Sequence, residues 1–159
     1  MSIVLFRVDE RLIHGQVVVG WVERLHVDRI IVVDDEIAAS EWEKELYCLG
    51  VPPEADAMFV TVATARQDFA SWMEQSRRLV VLVRSVETLS RLAEGGLLNG
   101  QTVNLGGIHH APGRERFLPY LFLSDDELKE LERLVAAGVT IAARDLPGSR
   151  SVPLGSLRP

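Results

Sequence analysis

SIVLFRVDERLIHGQVVVGW, residues Ser2–Trp21, begins with an apolar run and ends with apolar residues at helical spacing. The first part is typical of a buried strand, and the second of a helix that packs on it. Two arginines, two acids and His14 occupy the connection, where a short uncharged turn would be sufficient. The stretch therefore predicts a strand followed by a helix, with a functional loop between them.

Short apolar runs alternate with longer amphipathic runs along the rest of the chain, which is the pattern of an α/β domain. Several apolar runs are almost continuous in Val, Ile and Leu, as in parallel strands covered on both faces. We predict a single domain over residues 1–159, built on one open, mostly parallel sheet of about seven strands with helices on both faces. The strand candidates are SIVLF, DRIIVVDD, AMFVTV, RLVVLVR, QTVNLGG, PYLFL and VTIAARDL.

Helices are predicted over 16–25, 41–49, 65–75, 87–94 and 124–137. The last is the best marked, because SDDE is a capping box and Gly138 is a C-terminal stop. A tail rich in Pro, Gly and Ser follows from about residue 146, and we expect it to be extended or loosely held. Trp42, on a predicted helix, is expected in the core or partly in it, and the single cysteine, Cys48, is expected to be a buried small apolar residue.

The composition excludes several classes of protein. A net charge of -6 argues against nonspecific binding to nucleic acid, which needs a basic surface. The N-terminus lacks the features of a signal peptide, and no apolar run approaches the roughly 20 residues needed to span a bilayer. We therefore expect a cytoplasmic protein.

Three segments with reactive or flexible residues follow predicted strands. They are the loop that contains His14, the pair Asp34–Asp35, and Gly106–His110. Open parallel sheets bind ligands at the carboxyl ends of their strands. The sequence therefore predicts a site at that edge, with His14 at its centre.

The residues around His14 favour phosphate chemistry. Free N–H groups at the start of a helix attract anions, and Arg7 and Arg11 add charge-assisted donors. Phosphoryl transfer needs little from a protein beyond positioning and charge stabilisation. A neutral imidazole at His14 could hold the group covalently.

Other interpretations of the same residues stay open at this point. A histidine at a helix start can be a cap, and the arginines can pair with the neighbouring acids on a solvated face. Asp34–Asp35 and Gly106–Gly107 can be turns, and the pair His109–His110 has no complementary metal-ligand spacing. No Walker loop, G-x-G-x-x-G fingerprint or G-x-S-x-G elbow is present, which weakens the case for nucleotide enzymes and triad hydrolases.

FRVDERLIHGQVVVGW resembles the signature of the enzyme IIB component of the mannose/sorbose family of sugar phosphotransferase systems. The family pattern is close to R-I-D-D-R-L-I-H-G-Q-V followed by a Trp, so Val8 and Glu10 are mild departures. IIVVDDEIA, VNLGGIH and AAGVTIAARDLP resemble later family segments in the same order. Larger departures are Ser40, in a position that is often acidic, and the divergent stretch His109–Tyr120.

The resemblance implies a phosphotransferase subunit with no organic cofactor or metal, only a transient phosphohistidine. A IIA domain would phosphorylate the catalytic His14, and the group would pass to a sugar entering through the membrane components IIC and IID. The protein could then lie at the inner face of the membrane, and a homo-oligomer stays open. The residues expected to bind or orient the phosphoryl group are Asp9, Arg11, Gly15, Gln16, Arg7, Asp35, Gly106, Gly107 and Arg84.

Two alternatives remain at this stage. A regulatory module that receives phosphate but has no permease would use the same residues. A flavodoxin-like protein that binds a nucleotide or flavin is suggested by fold analogy alone.

Overall fold

The computed structural model describes residues 2–158. Its centre is a seven-stranded sheet with the strand order β3-β2-β4-β1-β5-β8-β9, in which the first six strands are parallel and β9 is antiparallel to β8. This confirms the predicted fold class. The strands of this sheet are β1 Ile3–Val8, β2 Arg29–Val33, β3 Asp56–Val60, β4 Leu79–Val83, β5 Thr102–Leu105, β8 Thr140–Ala143 and β9 Val152–Pro153.

Helices cover both faces of the sheet. One core, on the side of α3, α4 and α5, includes Phe69, Leu89 and Leu131, and the other, on the side of the first helix, includes Trp21 and Ile37. The central strand β4 is fully buried, as expected for a parallel strand covered twice. The α-helices are α1 Asp35–Ala38, α2 Glu41–Cys48, α3 Val62–Glu74, α4 Val86–Ala93 and α5 Asp125–Ala136, with short 3-10 turns at Glu94–Gly96 and Leu154–Ser156.

The first helix is a seven-residue π-helix, Gln16–Val22, and not the longer α-helix that the spacing predicts. It still places Val17, Val18, Trp21 and Val22 in the core. The predicted capping box of α5 is present, and Gly138 follows that helix with a φ of 111°. None of the helices within residues 2–158 is long and apolar enough to cross a membrane.

The seventh strand of the sheet comes from an unexpected part of the chain. PYLFL contributes β7, Leu121–Ser124, which pairs with β6, Arg114–Leu118, in a separate two-stranded hairpin. The divergent stretch His109–Tyr120 is thus largely structured. The C-terminal tail supplies β9 at the edge of the sheet and buries Leu154 and Leu157, so it is extended but not loosely held.

Two expectations about burial are wrong. Trp42 is 68% exposed, and Cys48 at the end of the same helix is also exposed. No residue of α2 is fully buried. The helix begins after Ser40, whose hydroxyl accepts a hydrogen bond from the backbone N–H of Glu43, so serine caps this helix.

The strand register brings the predicted loops together. Val8 at the end of β1 pairs with Val83 of β4 on one side and with Leu105 of β5 on the other. The loop after β1 therefore lies beside the loop after β5. The predicted location of the site, at the carboxyl edge of the sheet, follows from this alignment.

Candidate functional site

A buried ion pair supports the loop that contains His14. The side chains of Arg7 and Asp9 are completely inaccessible to solvent, and Arg7 Nη2 lies 3.2 Å from Asp9 Oδ2. The Arg7 guanidinium also lies over the ring of Trp21, with Cζ 5.2 Å from the ring centroid. Arg7 was predicted to contact phosphate, and the structure puts it beneath the loop.

All five N–H donors of Arg7 have acceptors inside the protein. Nε and Nη2 donate to Asp9, and Nη2 also donates to the Asp145 carbonyl oxygen at 3.1 Å. Nη1 donates to the Asn104 side chain and, at 2.7 Å, to the carbonyl oxygen of Arg144. A buried guanidinium is tolerated only when it is paired in this way. The positive charge of Arg7 therefore affects the site through its ion pair with Asp9.

Asp9 connects the loop after β1 with the loop after β5. Its Oδ2 accepts a hydrogen bond from the Gly107 backbone N–H at 3.2 Å, and its Oδ1 accepts from the Arg11 backbone N–H at 3.1 Å. Burial alone would raise the pKa of the Asp9 carboxyl, but the approach of His14, the charge of Arg7 and these two N–H donors lower it well below its ordinary value. Asp9 is therefore ionised near neutral pH, at the base of the site.

The two glycines after β5 leave room for the two arginines. A Cβ atom on Gly106 would lie 2.4 Å from Cζ of Arg7, and one on Gly107 would lie 3.1 Å from Nη2 of Arg11. The Gly107 carbonyl oxygen also accepts a hydrogen bond from the Glu10 backbone N–H. Gly106 and Gly107 thus fit the loop after β5 closely against the loop after β1.

His14 lies above Asp9 with one ring nitrogen turned inward. Its Nε2 is 3.4 Å from Oδ1 of Asp9, and its side chain is 16% exposed. Nε2 is buried and has no hydrogen-bond partner within residues 2–158. Because Nε2 faces the carboxylate, Nδ1 is the nitrogen on the side away from Asp9.

The backbone around His14 offers unused donors. Across residues 2–158, no acceptor is found for the backbone N–H groups of Ile13, His14, Gly15 and Gln16. A Cβ atom on Gly15 would meet nothing within 4 Å, and Gly15 and Gln16 are exposed. A run of backbone N–H groups without acceptors beside an exposed glycine is suited to binding an anion.

Arg11 borders the same space. Its side chain is 36% exposed, its Nε lies 3.4 Å from Oδ1 of Asp9, and its Nη2 donates to Oε1 of Gln16 at 3.1 Å. Arg11 and Arg7 are both paired with Asp9, but only the Arg11 side chain is accessible to solvent. The structure brings His14, Asp9, Arg11, Gly15 and Gln16 close together on the loop after β1 and the start of the first helix.

Asp35 and Arg84 lie in a neighbouring cleft of about 510 Å³. Arg84 Nε is 2.6 Å from Oδ2 of Asp34, whose Oδ1 accepts from the Ile37 backbone N–H and caps α1. Asp35 accepts from the Val62 backbone N–H at 2.9 Å and from Arg91. The Val62 hydrogen bond, followed by the Arg91 contact, lowers the pKa of Asp35.

Arg84 is thus paired with Asp34 and Asp35 with Arg91, and neither forms a hydrogen bond or ion pair with His14. Nor do residues 2–158 contain a group of three or more His, Cys, Asp or Glu side chains arranged to hold a metal ion.

Sequence reasoning missed a second set of ion pairs at the site. The Glu10 carboxylate is held by His109 and Arg114, and Arg114 continues to Glu127 on α5. Both His109 and Arg114 lie in the divergent stretch. The charges of Glu10, His109 and Arg114 were the available signals, but the pairing depends on the β6–β7 hairpin.

The chain matches the family described as "PTS system sorbose subfamily IIB component" over residues 3–157. It is 32% identical to the "PTS system fructose-specific EIIB component" of Bacillus subtilis (strain 168), over 95% of this chain and 92% of that one. It is 33% identical to the "PTS system mannose-specific EIIAB component" of Escherichia coli (strain K12), over 91% of this chain but only 44% of that longer protein.

The fold agrees with the sequence comparison. The crystal structure of manxB from Thermoanaerobacter tengcongensis is 31% identical, with a TM-score of 0.84 over 98% of this chain and 93% of that one. The IIBSor domain of the sorbose permease from Klebsiella pneumoniae is 25% identical, with a TM-score of 0.85 over 97% of this chain and 94% of that one. The chain therefore belongs to the sorbose subfamily of PTS IIB components, which are sugar phosphotransferase subunits.

Proposed function

We propose that this chain is the phosphoryl carrier of its phosphotransferase system, and that His14 carries the group. A IIA domain would donate the phosphoryl group, and a sugar entering through the membrane components IIC and IID would accept it. The chain would then work at the inner face of the membrane. The observation that carries the proposal is that His14 and Arg11 both approach Oδ1 of Asp9, beside backbone N–H groups that have no acceptor.

The orientation of the ring favours attack by Nδ1. With Nε2 turned toward the Asp9 carboxylate at 3.4 Å, the ring proton is favoured on Nε2, which leaves the Nδ1 lone pair free. Nδ1 forms the new P–N bond while the P–N bond to the donor histidine breaks and its electron pair returns to the donor ring. No proton has to move, because the ring of His14 keeps its Nε2 proton throughout.

Asp9 and the surrounding donors stabilise different parts of this reaction. The phosphorylated ring is positive until the group is passed on, and the buried Asp9 carboxylate compensates that charge. Arg11 and the N–H groups of Gly15 and Gln16 are suited to the phosphoryl oxygens. Transfer to the sugar hydroxyl then restores neutral His14 when the hydroxyl proton is lost to water or a sugar-site base.

The direct test is phosphate incorporation from labelled phosphoenolpyruvate, using the general phosphotransferase proteins and a matched IIA domain. Wild type should take up a label that is labile in acid and stable in alkali. His14→Ala, checked for a wild-type circular dichroism spectrum, should take up none. Equal labelling of both proteins would refute the assignment of His14.

A second arm tests the acceptor. Labelled wild type added to membranes that contain the IIC and IID components should lose its label to the matched sugar. The two phosphohistidine isomers can be separated after alkaline digestion, and we expect the Nδ1 isomer. A label that is never passed to a sugar would contradict the transport role.

A further inference from the structure

The Glu10 carboxylate lies on the active loop between Asp9 and Arg11, and another part of the chain holds it. Its Oε1 accepts a hydrogen bond from Arg114 Nη1 at 2.8 Å, and its Oε2 accepts from the His109 backbone N–H at 3.0 Å and contacts His109 Nδ1. Arg114 Nη1 also donates to the His109 carbonyl oxygen. The hairpin that carries Arg114 is thereby tied to the loop that carries His14.

The other side of Arg114 is tied to α5. Its Nε and Nη2 donate to the two carboxylate oxygens of Glu127, at 2.9 and 3.0 Å. Glu127 is itself fixed, because its Oε1 also accepts from the Ser124 backbone N–H in the capping box. The Arg114 side chain is one-fifth exposed, and its guanidinium spans two carboxylates, a geometry that the planar fork of arginine allows and lysine cannot reproduce.

We propose that Arg114 is a positioning residue of the phosphoryl-transfer site, which acts by neutralising Glu10 and holding its carboxylate away from Arg11. This inference rests on the proposed function of His14. Arg114 does not touch the reacting atoms. Its effect is to keep Arg11 and the free backbone N–H groups available to the incoming phosphoryl group.

The charges around the site explain why Glu10 needs a counter-charge. A phosphoryl group adds about two negative charges, and the carboxylate beside His14, Asp9, already faces the positive charges of Arg7 and of the phosphorylated ring. An unpaired Glu10 would add an uncompensated negative charge on the same loop, and it would compete with the phosphoryl group for Arg11. His109 cannot replace Arg114, because its side chain is 67% exposed and carries a charge only when protonated.

The test compares rates of phosphate incorporation in wild type, Arg114→Gln, Arg114→Lys and the double variant Arg114→Gln, Glu10→Gln. Arg114→Gln should be slowed roughly tenfold, as expected when one neighbouring charge is left uncompensated. Arg114→Lys keeps the charge and should keep more of the rate. The double variant should recover most of the wild-type rate, because no charge is left at position 10 to neutralise.

Glu127→Gln is the matched control. It removes the other ion pair of the same arginine while Glu10 stays neutralised, so we expect lower thermal stability and a transfer rate close to that of wild type. Each protein is assayed with the IIA donor and with phosphoramidate, a small donor that requires no docking. A loss seen with both donors places the effect at the site.

Wild-type rates in Arg114→Gln, or a loss that the second substitution does not recover, would overturn the proposal. A slowing that occurs only with the IIA donor would also overturn it, because Arg114 would then act in docking. These results are distinct from failure of the proposed function itself. In that case wild type would take up no label on His14, whatever residue occupies position 114.

Discussion

Gly106 has no room for a side chain because the Arg7 guanidinium fills the space beside it. A Cβ atom there would lie within 2.6 Å of three atoms of that group. Arg7 cannot move aside without leaving Asp9, since the pair is fully buried. A glycine after β5 is therefore a packing requirement of an arginine that is 99 positions earlier in the chain.

Gly106→Ala should accordingly destabilise the protein by about 3 kcal/mol or more, because it disrupts a buried ion pair. Gly148→Ala is the control, since its Cβ atom would meet nothing within 4 Å. The stability of both variants is measured as the free energy of unfolding in urea. In Gly107→Ala the new Cβ atom would meet only the accessible end of Arg11, at 3.1 Å, so this variant should retain most of the wild-type stability. Equal stability of Gly106→Ala and the control would disprove this account of the packing.

Asp9→Asn should destabilise the protein by an amount that depends on pH. Near pH 7 the substitution leaves Arg7 buried without its counter-charge, which costs about 3–5 kcal/mol. The pKa of Asp9 is lowered on folding, so its contribution is fully present above the unfolded-state pKa of about 4 and is lost as the pH falls toward the lower folded-state pKa.

The measurement is the difference in unfolding free energy between wild type and Asp9→Asn along a pH series. The difference should be constant from pH 7 to about pH 5 and should shrink below about pH 4, where the unfolded wild-type chain begins to bind a proton. A difference that stays constant through that acidic range would mean that the charge of Asp9 contributes nothing to folding.

Arg7→Lys and Arg11→Lys should separate stability from catalysis. Lysine at position 7 leaves several buried acceptors unpaired, so the unfolding free energy should fall by about 3 kcal/mol or more. Lysine at position 11 keeps the charge on an accessible side chain, and its effect on stability should be under about 1 kcal/mol.

The phosphorylation rates should show the reverse order, with the larger effect in Arg11→Lys. Arg11→Lys loses the planar fork at the site and should be labelled more slowly, but not blocked. Arg7→Lys, assayed at a temperature where it is folded, should be less affected. Unchanged kinetics in Arg11→Lys would remove Arg11 from the proposed site.

The parts of the fold that were predictable are those with strong local signals. Apolar runs such as LVVLV predict buried parallel strands, and SDDE predicts the start of α5. The loop after β1 was found because charge is unusual between a strand and a helix. That Arg7 is buried was not predictable, since its acceptors, Asn104 and the carbonyl oxygens of residues 144 and 145, lie about 100 positions or more away.

The two strands that were not predicted, β6 and β9, have weak sequence signals for physical reasons. β6, within RERFL, is mostly charged because it lies in a hairpin outside the main sheet. β9 has only two residues, one of them proline, and its pairing depends on the free edge of β8. Proline is tolerated there because an edge strand needs fewer N–H donors. Trp42 was placed in the core on helical spacing alone, which gives no information on which face of α2 meets the sheet.

The C-terminal tail offers a test of stability that is independent of the chemistry. Leu154 is buried against the main core, so Leu154→Ala should lower the free energy of unfolding by about 2–5 kcal/mol. Val135→Ala, at a position 42% exposed on α5, is the control and should change it by less than about 0.5 kcal/mol. Below its melting temperature, Leu154→Ala should still be phosphorylated at the wild-type rate, because the hydrogen bonds from Arg7 to this region end on the carbonyl oxygens of Arg144 and Asp145, which precede the tail. Wild-type stability in Leu154→Ala would mean that the tail is held too weakly to form the seventh strand of the sheet.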